Sequence, residues 1–298
     1  MKNIEDATMW YDTGRMWFAI IPPLVSPLTF IINAPFGRFT PKEHSIFLVD
    51  GIKSWIFMEL VFPLTFCYTY LKSPLSTGPH PPLSLTHPSS FLGALLLVHY
   101  LNRAIISPLR TPSRSKSHLG VPLSAVAFNI TNGSLLGAYL SSPAAQAYLA
   151  GASARPAFWV AVALWAAGLA GNIVHDEVLL NIRRNAKAKG KGRASPPPGK
   201  RQNKQEHYAI PHGYLYRLIS YPNYFCEWCE WLGFALAAAP LPSLVSGEDF
   251  LMTVAPPWLF FMSEIFLMLP RAWRGHQWYH NRFPDYPKER KAVIPFLF

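Results

Sequence analysis

Apolar residues in this chain run in long blocks divided by short polar gaps. Seven blocks fall at 16–34, 46–71, 91–109, 121–140, 157–182, 224–245 and 250–269. A helix needs about 20 mostly apolar residues to cross a hydrocarbon core. The pattern therefore predicts an all-α, polytopic membrane protein with seven transmembrane helices. Pro22, Pro23 and Pro27 interrupt the first block and predict kinks, tolerable where neighbouring helices satisfy the freed carbonyls. No internal repeat is visible. The opening MKNIEDATMWYDTGR is polar and mixed in charge, unlike a cleavable signal, so the first block is expected to be a retained span.

The gaps predict the orientation. Arg110, Arg114 and Lys116 follow the third block; Lys187, Lys189, Lys191, Arg193, Lys200, Arg201 and Lys204 follow the fifth. Arg271, Arg274, Arg282, Lys288, Arg290 and Lys291 follow the seventh, while the gaps at 141–156 and 246–249 are nearly free of Lys and Arg. Basic gaps face the cytosol, so the N-terminus is expected to be lumenal and the C-terminus cytosolic. Rich in Gly, Pro and charge, 185–207 reads as a disordered cytosolic loop whose basic residues can approach anionic lipid headgroups.

Composition supports the membrane reading and excludes others. Half the residues are hydrophobic and 14% are charged, against about a quarter charged in soluble domains. The net charge of +11 sits between apolar blocks and not on a basic, aromatic-studded soluble face, so no nucleic-acid partner is implied. No obligate protein partner is implied either. Three cysteines make no disulfide framework. Cys226 and Cys229 form a lone C-x-x-C inside an apolar block; they read as packing residues and not as a metal site.

The chemistry lies in polar residues that the blocks should not contain. Ionisable groups at membrane depth are costly and mark a function or a wet cavity. Glu59 lies in WIFMEL; His99, Tyr100, Asn102 and Arg103 lie in VHYLNR. The fifth block holds Asn172, His175, Asp176 and Glu177, with Arg183 beyond; the sixth holds Asn223, Glu227 and Glu230. Asn223, Glu227 and Glu230 share one helix face by spacing, as do Asn172 and Asp176. Two polar stripes near basic ends must line a cavity open to the cytosol. Taken singly, Glu177 and Glu264 can also be read as side chains reaching headgroup water, and His99 as a hydrogen-bonded core histidine. Arginines of the tail suit phosphate, and the amides and carboxylates suit ribose hydroxyls, so the cavity fits a nucleotide cofactor. No G-x-G-x-x-G, P-loop, H-E-x-x-H or G-x-S-x-G motif is present.

The stretch YAIPHGYLYRLISYPNYFCEWCEWLGFALA, followed by HQWYHNRFPDYPKERKAVIPFLF, closely resembles the steroid 5α-reductase family. The match is strongest over 171–298 and looser in WIFMEL, LVHYLNRAI and FNITNGSLLGAYL. The resemblance implies a seven-helix enzyme of the endoplasmic reticulum membrane that reduces the C=C bond of a conjugated, lipophilic, steroid-like enone with NADPH. It implies that helices of 1–140 shape the substrate pocket and that 157–298 binds the cofactor. By the same resemblance, Glu59 and Tyr100 hold the substrate carbonyl. Asn172, Asp176, Arg183, Tyr208, Asn223, Glu227, Arg271, His276, Tyr279 and Arg290 are the expected cofactor contacts. The tail departs from the pattern at Gly275, where relatives can carry a second histidine. Reductases of polyprenols or long-chain enoyl thioesters, and isoprenylcysteine-type membrane methyltransferases, are the competing enzyme readings. A lipid-binding protein that kept the fold without activity is the non-enzyme one.

Overall fold

The computed structural model describes residues 3–40, 45–191 and 208–298. Helices α1 (Ile4–Ile31) and α2 (Gly51–Lys72) are followed by α3 (Pro88–Tyr100), which continues through a π-helical turn at Leu101–Ile106 into α4 (Ser107–Arg110). Then come α5 (Gly120–Leu140), the short α6 (Pro143–Leu149), α7 (Pro156–Lys191) and α8 (Pro222–Ala238). The last two are α9 (Gly247–Thr253) and α10 (Pro256–Arg282).

Each of the seven expected blocks contains helix, though not over its whole length. Among the described residues, four helices or helix runs are long and apolar enough to cross a membrane: α1, α2, Pro88–Arg110 and the run Pro156–Ala188 of α7. The bent pair α9–α10 makes a fifth if it is one span. Helix α8 stops at Ala238 and not at 245, because the Pro240 and Pro242 that follow cannot continue it. The seventh block is split: α9 meets α10 at 116°, with Pro256 and Pro257 opening α10. Pro22, Pro23 and Pro27 stay within one continuous helix. The expected loop at 185–207 begins too early, since α7 runs on to Lys191; the rest of it lies outside the described residues.

Close pairing of α7 with α8 and of α2 with α5 organises the core. Glycines permit it. A Cβ on Gly168 would lie 2.6 Å from Glu230 Cα, and one on Gly233 would lie 2.5 Å from Trp165 N. Small residues that let backbones approach drive helix association where lipid removes the hydrophobic driving force. Strands β1 (Leu48–Val49) and β2 (Ser117–His118) pair antiparallel and tie the α1–α2 connection to the α4–α5 connection. The C-terminal tail is laced to the start of α8 by Ser220 N to Lys291 O (2.9 Å), Tyr221 N to Ala292 O (3.0 Å) and Lys291 N to Leu218 O (2.9 Å).

Gly233→Val should destabilise the protein by about 1–3 kcal/mol through overpacking, read as a lower thermal midpoint in detergent. Gly247→Ala should leave the midpoint unchanged, since a Cβ there meets nothing within 4 Å. Equal midpoints for the two variants would contradict this account of the α7–α8 contact.

Candidate active site

Arg103 organises the polar interior. It sits in the π-helical turn after α3, a local widening that recurs at functional sites. Its Nε donates to Glu59 Oε1 at 3.2 Å and its Nη1 to Glu227 Oε1 at 2.9 Å. Trp55 holds the same turn by donating from Nε1 to the Arg103 carbonyl at 3.1 Å. Glu227 Oε2 accepts from Asn172 Nδ2 at 3.1 Å, and that amide also donates to the Asn223 carbonyl at 3.1 Å. Asn223 Nδ2 then donates to Asp176 Oδ1 at 3.0 Å. A continuous chain thus runs Glu59–Arg103–Glu227–Asn172–Asn223–Asp176 across α2, α8 and α7. The two stripes expected on α7 and α8 do meet, and in the structure their amides and carboxylates satisfy one another.

Below this chain lies a layer of rings. Phe62 stacks on Tyr100 with centroids 4.0 Å apart, Trp231 packs on Phe260 at 4.5 Å, and His99 packs on Trp231 at 4.5 Å. Tyr100 is held rigidly in this layer, buried among apolar groups. His99 is indeed a core histidine, with Nδ1 2.7 Å from Glu230 Oε1. Cys226 packs against Gly171 and Cys229 is a free thiol, which fits the packing reading of the C-x-x-C.

Around the α10 end and the tail the character changes to arginine and aromatic rings. The Arg38 guanidinium lies 4.6 Å from the centroids of both Trp278 and Tyr279 and 5.3 Å from that of Tyr208. Arg38 also donates to Tyr279 Oη at 3.4 Å. Tyr279 stacks on Tyr286 at 5.1 Å; Arg290 lies 5.1 Å from the Tyr286 ring and donates to the Pro211 carbonyl at 3.1 Å. Arg271 covers the Phe36 ring at 3.5 Å. His276 Nδ1 is 2.6 Å from Ser220 Oγ, which is itself 2.6 Å from Tyr286 Oη, so His276 braces the tail. Gly275 leaves the room that the Tyr221 ring fills. Arg114 covers Trp55 at 3.6 Å; burial and then the nearby Arg183 charge pull its guanidinium below the ordinary value to about 10.

A nucleotide needs unspent cationic donors. Among the described residues Arg38, Arg114, Arg183, Arg271 and Arg290 make no ion pair with a carboxylate. Arg38 Nη1 and Arg290 Nε are buried without a hydrogen-bond partner among the described residues. Orphaned buried guanidinium N–H groups are expensive and match the oxygens of phosphates. The residues present therefore fit NADPH. Arg38, Arg103 as a hub and Arg114 were not singled out as site residues by the sequence. A lone arginine in a short connection carries no local signal, and Arg103 was visible only as one polar residue in an apolar block.

Residues 115–298 match the family described as 3-oxo-5-alpha-steroid 4-dehydrogenase. Over 96% of this chain and 93% of its own length, the rat 3-oxo-5-alpha-steroid 4-dehydrogenase 1 (Rattus norvegicus) is 31% identical. The chain belongs to this family, the steroid 5α-reductases. The tomato (Solanum lycopersicum) steroid 5-alpha-reductase DET2 is 32% identical over 91% of this chain and 91% of its own. An uncharacterised protein of Schizosaccharomyces pombe is 39% identical over 97% of this chain and 100% of its own. As a member of the family, the protein is an oxidoreductase acting on CH–CH groups.

Arg103→Met leaves the buried Glu59 and Glu227 carboxylates unpaired, which typically costs about 3–5 kcal/mol. The triple variant Arg103→Met, Glu59→Gln, Glu227→Gln should recover much of that loss. Thermal midpoints of the folded proteins decide it; a triple variant less stable than the single one would contradict the hub role.

Proposed function

We propose that this protein reduces the C=C bond of a conjugated enone in a lipophilic substrate, a 3-oxo-Δ4 steroid, with NADPH as reductant. The observation that carries the reading is the continuous polar chain from Glu59 to Asp176. It joins an apolar ring layer, suited to a lipophilic substrate, to arginines without carboxylate partners, suited to a phosphorylated cofactor. The setting we propose is the endoplasmic reticulum membrane, with α1, α2, α3–α4, α5, α7, α8 and α9–α10 as seven spans and the C-terminus in the cytosol. The basic gaps after the third, fifth and seventh blocks support that orientation.

When bound, NADPH supplies the hydride. Asn172, Asp176, Asn223 and Glu227 would take its ribose and amide groups, already oriented by the hydrogen bonds among them. Arg183, Arg271 and Arg290, joined by Arg38 and Arg114, would take the phosphates. Tyr208 and Tyr279 would pack the rings, with His276 fixing the tail that carries Tyr279 and Arg290.

Hydride addition to the β-carbon places negative charge on the carbonyl oxygen. Donors fixed in advance at that oxygen stabilise the transition state. Tyr100, locked by Phe62, provides one. Glu59 in its carboxylic-acid form would provide the other through Oε2–H, while Oε1 accepts from Arg103. Arg103 thereby orients Glu59 without touching the substrate. The ring layer excludes water, which strengthens both interactions.

NADPH should be preferred over NADH by about 10-fold or more in kcat/KM, the worth of a charge-assisted hydrogen bond to the 2′-phosphate. Equal use of both at limiting concentration would count against the arginine assignment. Glu59→Gln should lower turnover by about 100- to 1,000-fold, the usual cost of one oxyanion donor, while NADPH affinity changes little. Unaltered turnover would return Glu59 to a purely structural role.

A further inference from the structure

The ring layer and the polar chain obey one register, and a fourth polar residue completes it. Glu59 lies three residues before Phe62 on α2; Arg103 lies three after Tyr100 beyond α3. The pairs Phe62–Tyr100 and Glu59–Arg103 show that these elements run antiparallel. Glu227 lies four residues before Trp231 on α8, and Glu264 lies four after Phe260 on α10. Helices α8 and α10 are also antiparallel: Trp258 Nε1 donates to the Pro240 carbonyl at 2.8 Å, Trp231 packs on Phe260 at 4.5 Å, and Tyr221 fills the space over Gly275. The register that faces Trp231 to Phe260 therefore faces Glu227 to Glu264. Phe260 also approaches Phe62 at 6.4 Å, which brings Glu264 to the level of Glu59. Its electrostatic neighbours are accordingly Glu227, Arg103, Glu59 and Glu230, and it is one of those of Tyr100.

Glu264 differs from the other carboxyls here. Glu59 and Glu227 share the Arg103 guanidinium and Glu230 takes His99. Among the described residues Glu264 makes no ion pair, and it is half-buried. Three carboxyls thus face one guanidinium at this level. Ionising all three would leave two uncompensated charges in an apolar interior, at a cost of several kcal/mol each. A neutral carboxylic acid is the cheaper form, and it is a proton donor.

We propose that Glu264 delivers the proton to the α-carbon in the reduction, an inference that rests on the function proposed above. Bound NADPH would supply the hydride that adds to the β-carbon, and the C=C electrons would then move to give an enolate held by Tyr100 and Glu59. The enolate then returns its electron pair to the α-carbon, where a new C–H bond forms with the Glu264 proton as the Glu264 O–H bond breaks. The carbonyl is restored, the nicotinamide is oxidised, and the Glu264 carboxylate regains a proton from water.

Purified wild type and Glu264→Gln would be run in D2O with NADPH and androst-4-ene-3,17-dione, a 3-oxo-Δ4 steroid. Wild type should place deuterium on one face of the α-carbon. In Glu264→Gln, kcat should fall about 100-fold, the scale of general-acid catalysis, with KM little changed. Its residual product should carry deuterium on both faces, because water replaces the directed donor. Glu264→Asp should keep the single face. Wild-type rate with single-face labelling in Glu264→Gln overturns the proposal. An independent readout covers the case in which Glu264→Gln does not fold. The infrared spectrum of the cofactor-free protein at neutral pH should show a protonated-carboxyl stretch that Glu264→Asp shifts; its absence overturns the proposal. A wild type that reduces nothing with NADPH overturns the parent function instead.

Discussion

The rest of the site depends on one guanidinium placed where lipid would otherwise be. Arg103 is half-buried at the junction of α2, α3 and α8, and it holds Glu59 and Glu227 at once. The desolvation cost of the group is large and is offset only because further bonds, from Asn172 and through Asn223 to Asp176, satisfy the remaining acceptors. Such an arrangement is retained for specificity and chemistry and not for stability. It fixes the relative register of helices that apolar packing alone would leave free to slide.

Glycine contacts supply the complementary constraint. Close approach at Gly168 and Gly233 brings the polar stripes of α7 and α8 within hydrogen-bond range. A wider separation would leave Asn172 and Glu227 each facing apolar space. Packing and chemistry are thus coupled through the same interface, so a steric change at Gly233 is expected to reach the site one and a half turns away.

Much of this was legible in the chain. Each apolar block holds helix, the seventh split in two, and the spacing of Asn223 with Glu227 and of Asn172 with Asp176 placed each pair on one face. Helix ends were read less well where two signals competed. The lysines and glycines after Asn185 resemble a loop, yet α7 continues to Lys191; leucine and valine at 241–245 extend the apolar block, yet Pro240 and Pro242 end α8 before them. Residues acting across the fold were the hardest. Arg38 acquires its partners from Tyr208, Trp278 and Tyr279, more than 160 positions away, and no local pattern encodes that. Glu264 was legible only as a candidate for headgroup water, because its facing residue, Glu227, emerges only from the α8–α10 register.

The central claim is that unpaired arginines and the Asn–Glu–Asp chain form one nucleotide site. Thermal unfolding of the purified protein with added NADPH tests it most directly, set against S-adenosylmethionine. A ligand that binds only the folded state stabilises it by about 2.7 kcal/mol at 100 times its Kd. A midpoint raised by NADPH and unmoved by S-adenosylmethionine is the predicted result. A midpoint raised by S-adenosylmethionine alone, or by neither, would contradict the account.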